Sequence, residues 1–243
     1  MSRTRLILLG LLAVAVAVGV VVSSSGAEPP AGSCIEVTKV PAYCIAGTPL
    51  VSAAENFEGT SGSAILKATI GGTTAEIKCE TGKSTGTIEG GAAGTVGKSK
   101  TKITFGTCSL LAPEHCKLTS AEETKIKTTE LMGELEYTGG KILDKLEAKG
   151  SAAFAGIGIE GESSSCIIAE AGITKTYNVT GSQLCEVDSS TTEAETEAEK
   201  HKLICKAMNG LKVGGNPAEI TDETMAVELT GAKAHGHWSV KET

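Results

Sequence analysis

Aromatic residues are scarce. The 243-residue chain holds one Trp, three Tyr and three Phe, too few to build the stacking platforms on which sugar-cleaving sites ordinarily seat their substrates. Large aliphatics are also sparse: after residue 27, Leu, Ile, Val and Phe number 41 of 216 residues, about 19 %. At high net charge such a value ordinarily marks a disordered chain. The acid–base repertoire is thin as well. There are three aspartates (Asp144, Asp188, Asp222) and four histidines (His115, His201, His235, His237), and no G-x-S-x-G or H-E-x-x-H occurs. These gaps exclude the nucleophile-elbow hydrolases and the helical zinc peptidases. No C-x-x-C is present for a structural zinc site and no D-x-[DN]-x-[DN]-G loop for calcium.

The chain opens with Arg3 and Arg5 followed by an unbroken apolar run over residues 6–22, then Ser25-Gly26-Ala27. Positive start, apolar middle and small-residue end form the pattern of an export signal, with cleavage expected near Ala27. The alternative is an uncleaved anchor, since the run reaches the lower limit for crossing a bilayer. Membrane association is expected only through that segment. Without residues 1–27 the chain has 20 lysines against 29 acidic residues, a net charge of −9. An acidic chain is a poor counterion for nucleic acid or anionic lipid, so nucleic acid is not expected as a partner.

Two features argue for a folded body. The first is cysteine: Cys34, Cys44, Cys79, Cys108, Cys116, Cys166, Cys185 and Cys205 all follow the leader, and an even count in an exported chain predicts disulfides. Spacing suggests local Cys34–Cys44, Cys108–Cys116 and Cys185–Cys205 bridges, leaving Cys79–Cys166 by elimination. The second is a period of two. "AILKATI" puts Leu66, Ala68 and Ile70 on one face, and "TTAEIKC" does the same with Ala75, Ile77 and Cys79; Gly71-Gly72 between them is a favoured hairpin loop. "GKSKTKITF" sets Lys98, Lys100 and Lys102 outward against Thr101, Ile103 and Phe105. Leu131, Leu135 and Tyr137, then Ile173, Tyr177 and Val179, then Met225, Val227 and Leu229 continue the scheme, and "AAFAGIGI" (152–159) is apolar on both faces, as in a central strand.

About twelve strands are expected and the class is all-β, an antiparallel sandwich or barrel stapled by disulfides. The expected organisation is a leader over residues 1–27, a Pro/Gly/Ser-rich irregular arm over 28–63 and one β-rich domain over 64–243. Residues 191–201, "TTEAETEAEKH", suit a short helix or a solvated edge strand, and the alternation running on into "KLIC" favours the strand.

Three stretches imitate phosphate loops. Gly82-Lys83-Ser84 and Gly97-Lys98-Ser99 lack the first glycine of G-x-x-x-x-G-K-[ST], since Ile77 and Ala92 stand there. Lys83 is therefore expected in a turn. "GIGIEG" (156–161) satisfies G-x-G-x-x-G, yet its glycines alternate within a strand and no helix follows to supply a positive end. In "AHGHWSV", His235 and His237 would project from one face as a two-ligand metal clip does, with His201 or a glutamate as a third ligand; a terminal edge strand is the plainer reading, with Trp238 plugging the core.

The strings "TAEIKCETGKSTGTI", "ITFGTCSL" with a second cysteine eight residues on, "GGNPAEIT" and "HWSV" together resemble a large group of small exported proteins of soil actinobacteria without an assigned activity. The similarity covers roughly residues 60–243. It implies export, a β-rich body and paired cysteines, with the Cys185/Cys205 and Cys34/Cys44 pairs as additions, and it supplies no functional residue. The function expected is a non-enzymatic exported module of the cell surface or extracellular matrix, without cofactor or metal, its partner a surface glycan or protein. Such a module should present a Thr-lined or apolar patch on a sheet face, with no deep pocket. The alternative is an exported hydrolase using acidic residues, which requires a cleft holding two carboxyls, one with its acidity weakened by burial.

Overall fold

The computed structural model describes residues 42–45, 48–49, 54–89, 96–119, 124–139, 141–150, 152–187, 201–205, 210–221, 223–230 and 236–239. These form strands and no helix. In chain order they are β1 (Ala42–Ile45), β2 (Thr48–Pro49), β3 (Glu55–Ser61), β4 (Ala64–Ile70), β5 (Thr73–Glu89) and β6 (Lys98–Ala112). Next come β7 (Cys116–Thr119), β8 (Ile126–Lys127), β9 (Leu131–Thr138), β10 (Lys141–Ala148), β11 (Ala155–Gly161) and β12 (Thr174–Thr180). The last are β13 (Ser182–Val187), β14 (His201–Cys205), β15 (Lys212–Val213), β16 (Asn216–Thr221), β17 (Glu223–Leu229) and β18 (Gly236–Ser239).

Eight strands close an antiparallel barrel in the order β5-β3-β17-β14-β13-β10-β9-β6, with β6 pairing back onto β5. Closure removes the open edges that a sandwich would leave. The long strands β5 and β6 run on past the barrel. There β5 pairs with β4, the sheet continues through β16, β15, β12 and β11, and β11 returns to β6 by way of the Thr128–Ala155 bridge beside β8. The β5–β6 ribbon is thus a wall common to the barrel and to a second lobe. Ile77, Phe105, Ile126, Phe154, Ile157 and Val179 pack that lobe around an apolar cavity of about 40 Å³.

The barrel interior explains how so few large side chains suffice. Cross-strand partners Gly59 and Ser84, Gly82 and Ser61, and Gly133 and Ser99 each set a serine against a bare glycine. A Cβ on those glycines would lie 2.2, 2.1 and 1.9 Å from the serine hydroxyls. The Phe57 ring covers Gly86 in the same way. Each glycine makes room for the serine of its neighbouring strand, and Ile103, Leu131 and Leu135 are among the large side chains that fill the interior.

The alternation read from the sequence places the core correctly along β4, β5, β6, β9 and β17. The Gly71-Gly72 loop is a two-residue hairpin with φ of 59° and 83°. Five expectations are corrected. Lys83 is not in a turn: it stands mid-strand between Thr60 and Thr104, because Gly82 is there to admit the Ser61 hydroxyl rather than to bend the chain. Glu55–Ser61, assigned to the irregular arm, is a barrel strand between β5 and β17. Ile173, expected inward, is 54 % exposed, since it precedes β12 and its amide closes a turn on the Glu170 carbonyl.

The remaining two corrections concern disulfides. Cys79 bonds Cys108, not Cys166, and Cys116 bonds Cys166, not Cys108; Cys185–Cys205 is as expected. Register decides this: Cys79 and Cys108 face each other across β5–β6, whereas Cys116 lies beyond the Pro113 turn, on β7. Three disulfides suit an oxidising compartment. Cys34, the leader and residues 191–200 lie outside the described residues, as does the side chain of Cys44; so the Cys34–Cys44 bridge and the form of the glutamate row do too.

Candidate functional site

The outward-facing residues of β3, β5 and β6 make a polar surface. Asn56, Glu58 and Thr60 project from β3, Thr81, Lys83, Thr85 and Thr87 from β5, and Lys98, Lys100, Lys102 and Thr104 from β6. Where Phe57, Gly86 and Thr101 stand side by side, the surface sinks into a groove of about 560 Å³. The backbone of those three residues is its floor. Two rows cross it, Asn56–Thr87–Lys100 and Glu58–Thr85–Lys102, with Glu130 and Thr230 at its margins. The floor is held firmly: the Thr101 hydroxyl donates to the Thr85 carbonyl, and the Thr230 hydroxyl to that of Asn56.

Charge in the groove is balanced, with two lysines against two glutamates. Lys100 is engaged by Glu89 at 3.4 Å and Glu130 by Lys149 at 3.1 Å. That contact with Lys149 holds the Glu130 carboxyl below its ordinary range, with Lys102 and Lys100 adding weaker attraction. Lys102 and Glu58 have no ion-pair or hydrogen-bond partner among the described residues. The groove therefore offers ammonium, carboxylate, amide and hydroxyl groups together, equipment for holding a polar ligand.

A second polar group lies inside the barrel. Asp144 is 4 % exposed, and Glu223 and Gln183 are fully enclosed. Burial pushes Asp144 up to about 7. Burial likewise raises Glu223 to about 7, against the pull of the Gln183 amide, which donates to its Oε2 at 2.8 Å. Asp144 Oδ1, Glu223 Oε1, Gln183 Oε1 and Ser99 Oγ have no hydrogen-bond partner among the described residues. Asp144 and Glu223 belong to one circumferential row, separated by the Cys185–Cys205 disulfide. Their strand periodicity marks them: Ile142-x-Asp144-x-Leu146 and Glu223-x-Met225-x-Val227 put both carboxyls on the inward face.

The other sequence candidates are dispersed. "GIGIEG" is strand β11, as expected. His115 is a turn residue with φ of 63° and His201 starts β14; His237 is in β18 opposite Cys44. His235 and the side chains of His201, His237 and Trp238 lie outside the described residues. Among the described residues no cluster of three or more His, Cys, Asp or Glu could hold a metal ion. All six cysteines whose side chains are described are in disulfides. No family model matches this chain, and neither a curated protein nor a solved structure is significantly similar to it.

Proposed function

We propose that the protein is a non-enzymatic exported module that binds a component of the cell surface or extracellular matrix through the β3–β5–β6 groove. The observation that carries this reading is the Thr-lined outer face, where Thr85, Thr87 and Thr230 share one shallow groove with Asn56 and Lys102. Shallow polar grooves on a closed scaffold suit retention of a partner from solution. The disulfides, the leader-like residues 1–27 and the resemblance to exported actinobacterial proteins support a site of action outside the cytoplasm. A surface glycan or protein is the partner this chemistry suits. The competing reading, a hydrolase working through acidic residues, draws on the weakened acidity of Asp144 and Glu223. Both are buried inside the barrel, which favours the binding reading.

The test is co-sedimentation with the insoluble cell-wall and matrix fraction of the producing cells. The wild-type protein should pellet with that fraction, and the combined variant Asn56→Ala, Thr85→Ala, Thr87→Ala should stay in the supernatant. Equal pelleting of both, or of neither, refutes the proposal.

A further inference from the structure

We propose that the groove takes a short zwitterionic chain lying across the strands, its ammonium end at Glu58 and its carboxylate end at Lys102. This rests on the reading of the groove as a ligand site and names the chemistry of its occupant. Two observations converge on it.

The first is balance. Lys100 and Lys102 are matched by Glu58 and Glu130 around the groove, so a polyanion would meet Glu58 and Glu130 and a polycation would meet the two lysines. A ligand carrying one charge of each sign meets neither obstacle. The second is availability. Glu89 occupies Lys100 and Lys149 occupies Glu130, which leaves the Lys102 ammonium and the Glu58 carboxylate without an ion-pair partner among the described residues, one on each wall. They do not pair with each other in the structure. Thr85 stands between them in the row, and two strand spacings put their backbones about 10 Å apart.

The span selects the ligand. Three extended residues reach about 10 Å, so a tripeptide with free termini sets its ammonium and carboxylate at the two walls, while its central amides lie over the Thr85 and Thr87 hydroxyls. Recognition is by charge at both ends and hydrogen bonding between.

Triglycine is the simplest probe, with N-acetyl-triglycine and triglycinamide each lacking one charge. In a nitrogen-15 NMR titration of the purified protein, triglycine should shift the amides of residues 56–59, 85–87 and 100–102 along one saturable curve. Each capped probe should bind more weakly by up to about fivefold, the range for one exposed ion pair. Lys102→Gln should bind triglycine and triglycinamide equally, and Glu58→Gln should bind triglycine and its N-acetyl form equally. Both are surface substitutions that leave the fold intact, which the unshifted amides elsewhere report. Equal affinity for all three probes in the wild type, or no shift in these strands with triglycine, overturns the inference. If triglycine leaves the strands silent while the Asn56/Thr85/Thr87 variant still loses co-sedimentation, the zwitterion falls and the groove stands as a ligand site.

Discussion

Alkalinity should loosen this barrel, and two enclosed carboxyls set by how much. In the unfolded chain Asp144 and Glu223 release their protons near the ordinary values of 3.8 and 4.5; in the fold they hold them to about 7. Between those limits the native state binds protons that the unfolded state has given up, so stability falls as pH rises. Below about pH 4 both states are protonated and above about pH 7 both are ionised, and the dependence flattens at either end. At about 1.4 kcal/mol for each tenfold change in acidity, Asp144 accounts for roughly 4 kcal/mol and Glu223 for roughly 3 kcal/mol. These are ceilings, because water admitted to the barrel would relieve part of the penalty. Even half of the sum is a large share of a typical domain's stability. Urea unfolding followed by far-ultraviolet circular dichroism, at about pH 5 and about pH 8 with the disulfides intact, measures the part that falls between those values, at most about 3 kcal/mol for each carboxyl. Asp144→Asn and Glu223→Gln keep the shape and remove the ionisation, so each should raise stability at about pH 8 and the pair should flatten the profile. A wild-type protein equally stable at both pH values, or a slope that survives in the double variant, refutes the reasoning.

Three further outcomes are expected. Full reduction should lower the thermal midpoint, with Cys116–Cys166 contributing most: it closes 50 residues, against 29 and 20 for the others, and loop closure assigns about 3–4 kcal/mol to each. Single Cys-pair-to-Ser variants in thermal melts check the order. Gly86→Ala should destabilise by about 1–3 kcal/mol, because its Cβ would lie 2.0 Å from the Lys100 carbonyl oxygen and 2.7 Å from the Phe57 ring. Gly62→Ala, with open space around it, should leave urea midpoints unchanged. Tyr177→Phe removes the buried hydroxyl that donates to the Ile168 carbonyl. It should cost about 1 kcal/mol and speed proteolysis within residues 162–173.

The strands were legible because burial and exposure alternate along them without interruption, as in Lys98 to Phe105. Closure was not, since a sandwich and a barrel share the same alternation and differ only in whether β6 returns to β5. Glycine misled at Lys83: the letters of Gly82-Lys83-Ser84 suit a turn, while the glycine answers to a serine on a neighbouring strand that only register brings close. The disulfides failed for the same reason. Cys79 and Cys108 meet across a ribbon whose connection is long, and nearness along the chain favoured Cys116 instead. Of the groove, the lysines of β6 were seen as a solvated face; their union with Thr85, Thr87 and Glu58 depends on which strands lie side by side. Asp144 and Glu223 needed only the alternation to be carried through to polar residues.

The ribbon formed by β5 and β6 has a consequence for how this protein can be inherited. One hairpin closes both the barrel and the lobe beside it, and Cys79–Cys108 rivets it where β4 takes over from β3. Neither half can be cut out and joined to another gene without leaving the other with a torn seam. Recombination should therefore pass the two on as a single indivisible cassette, with variation confined to the connections between strands.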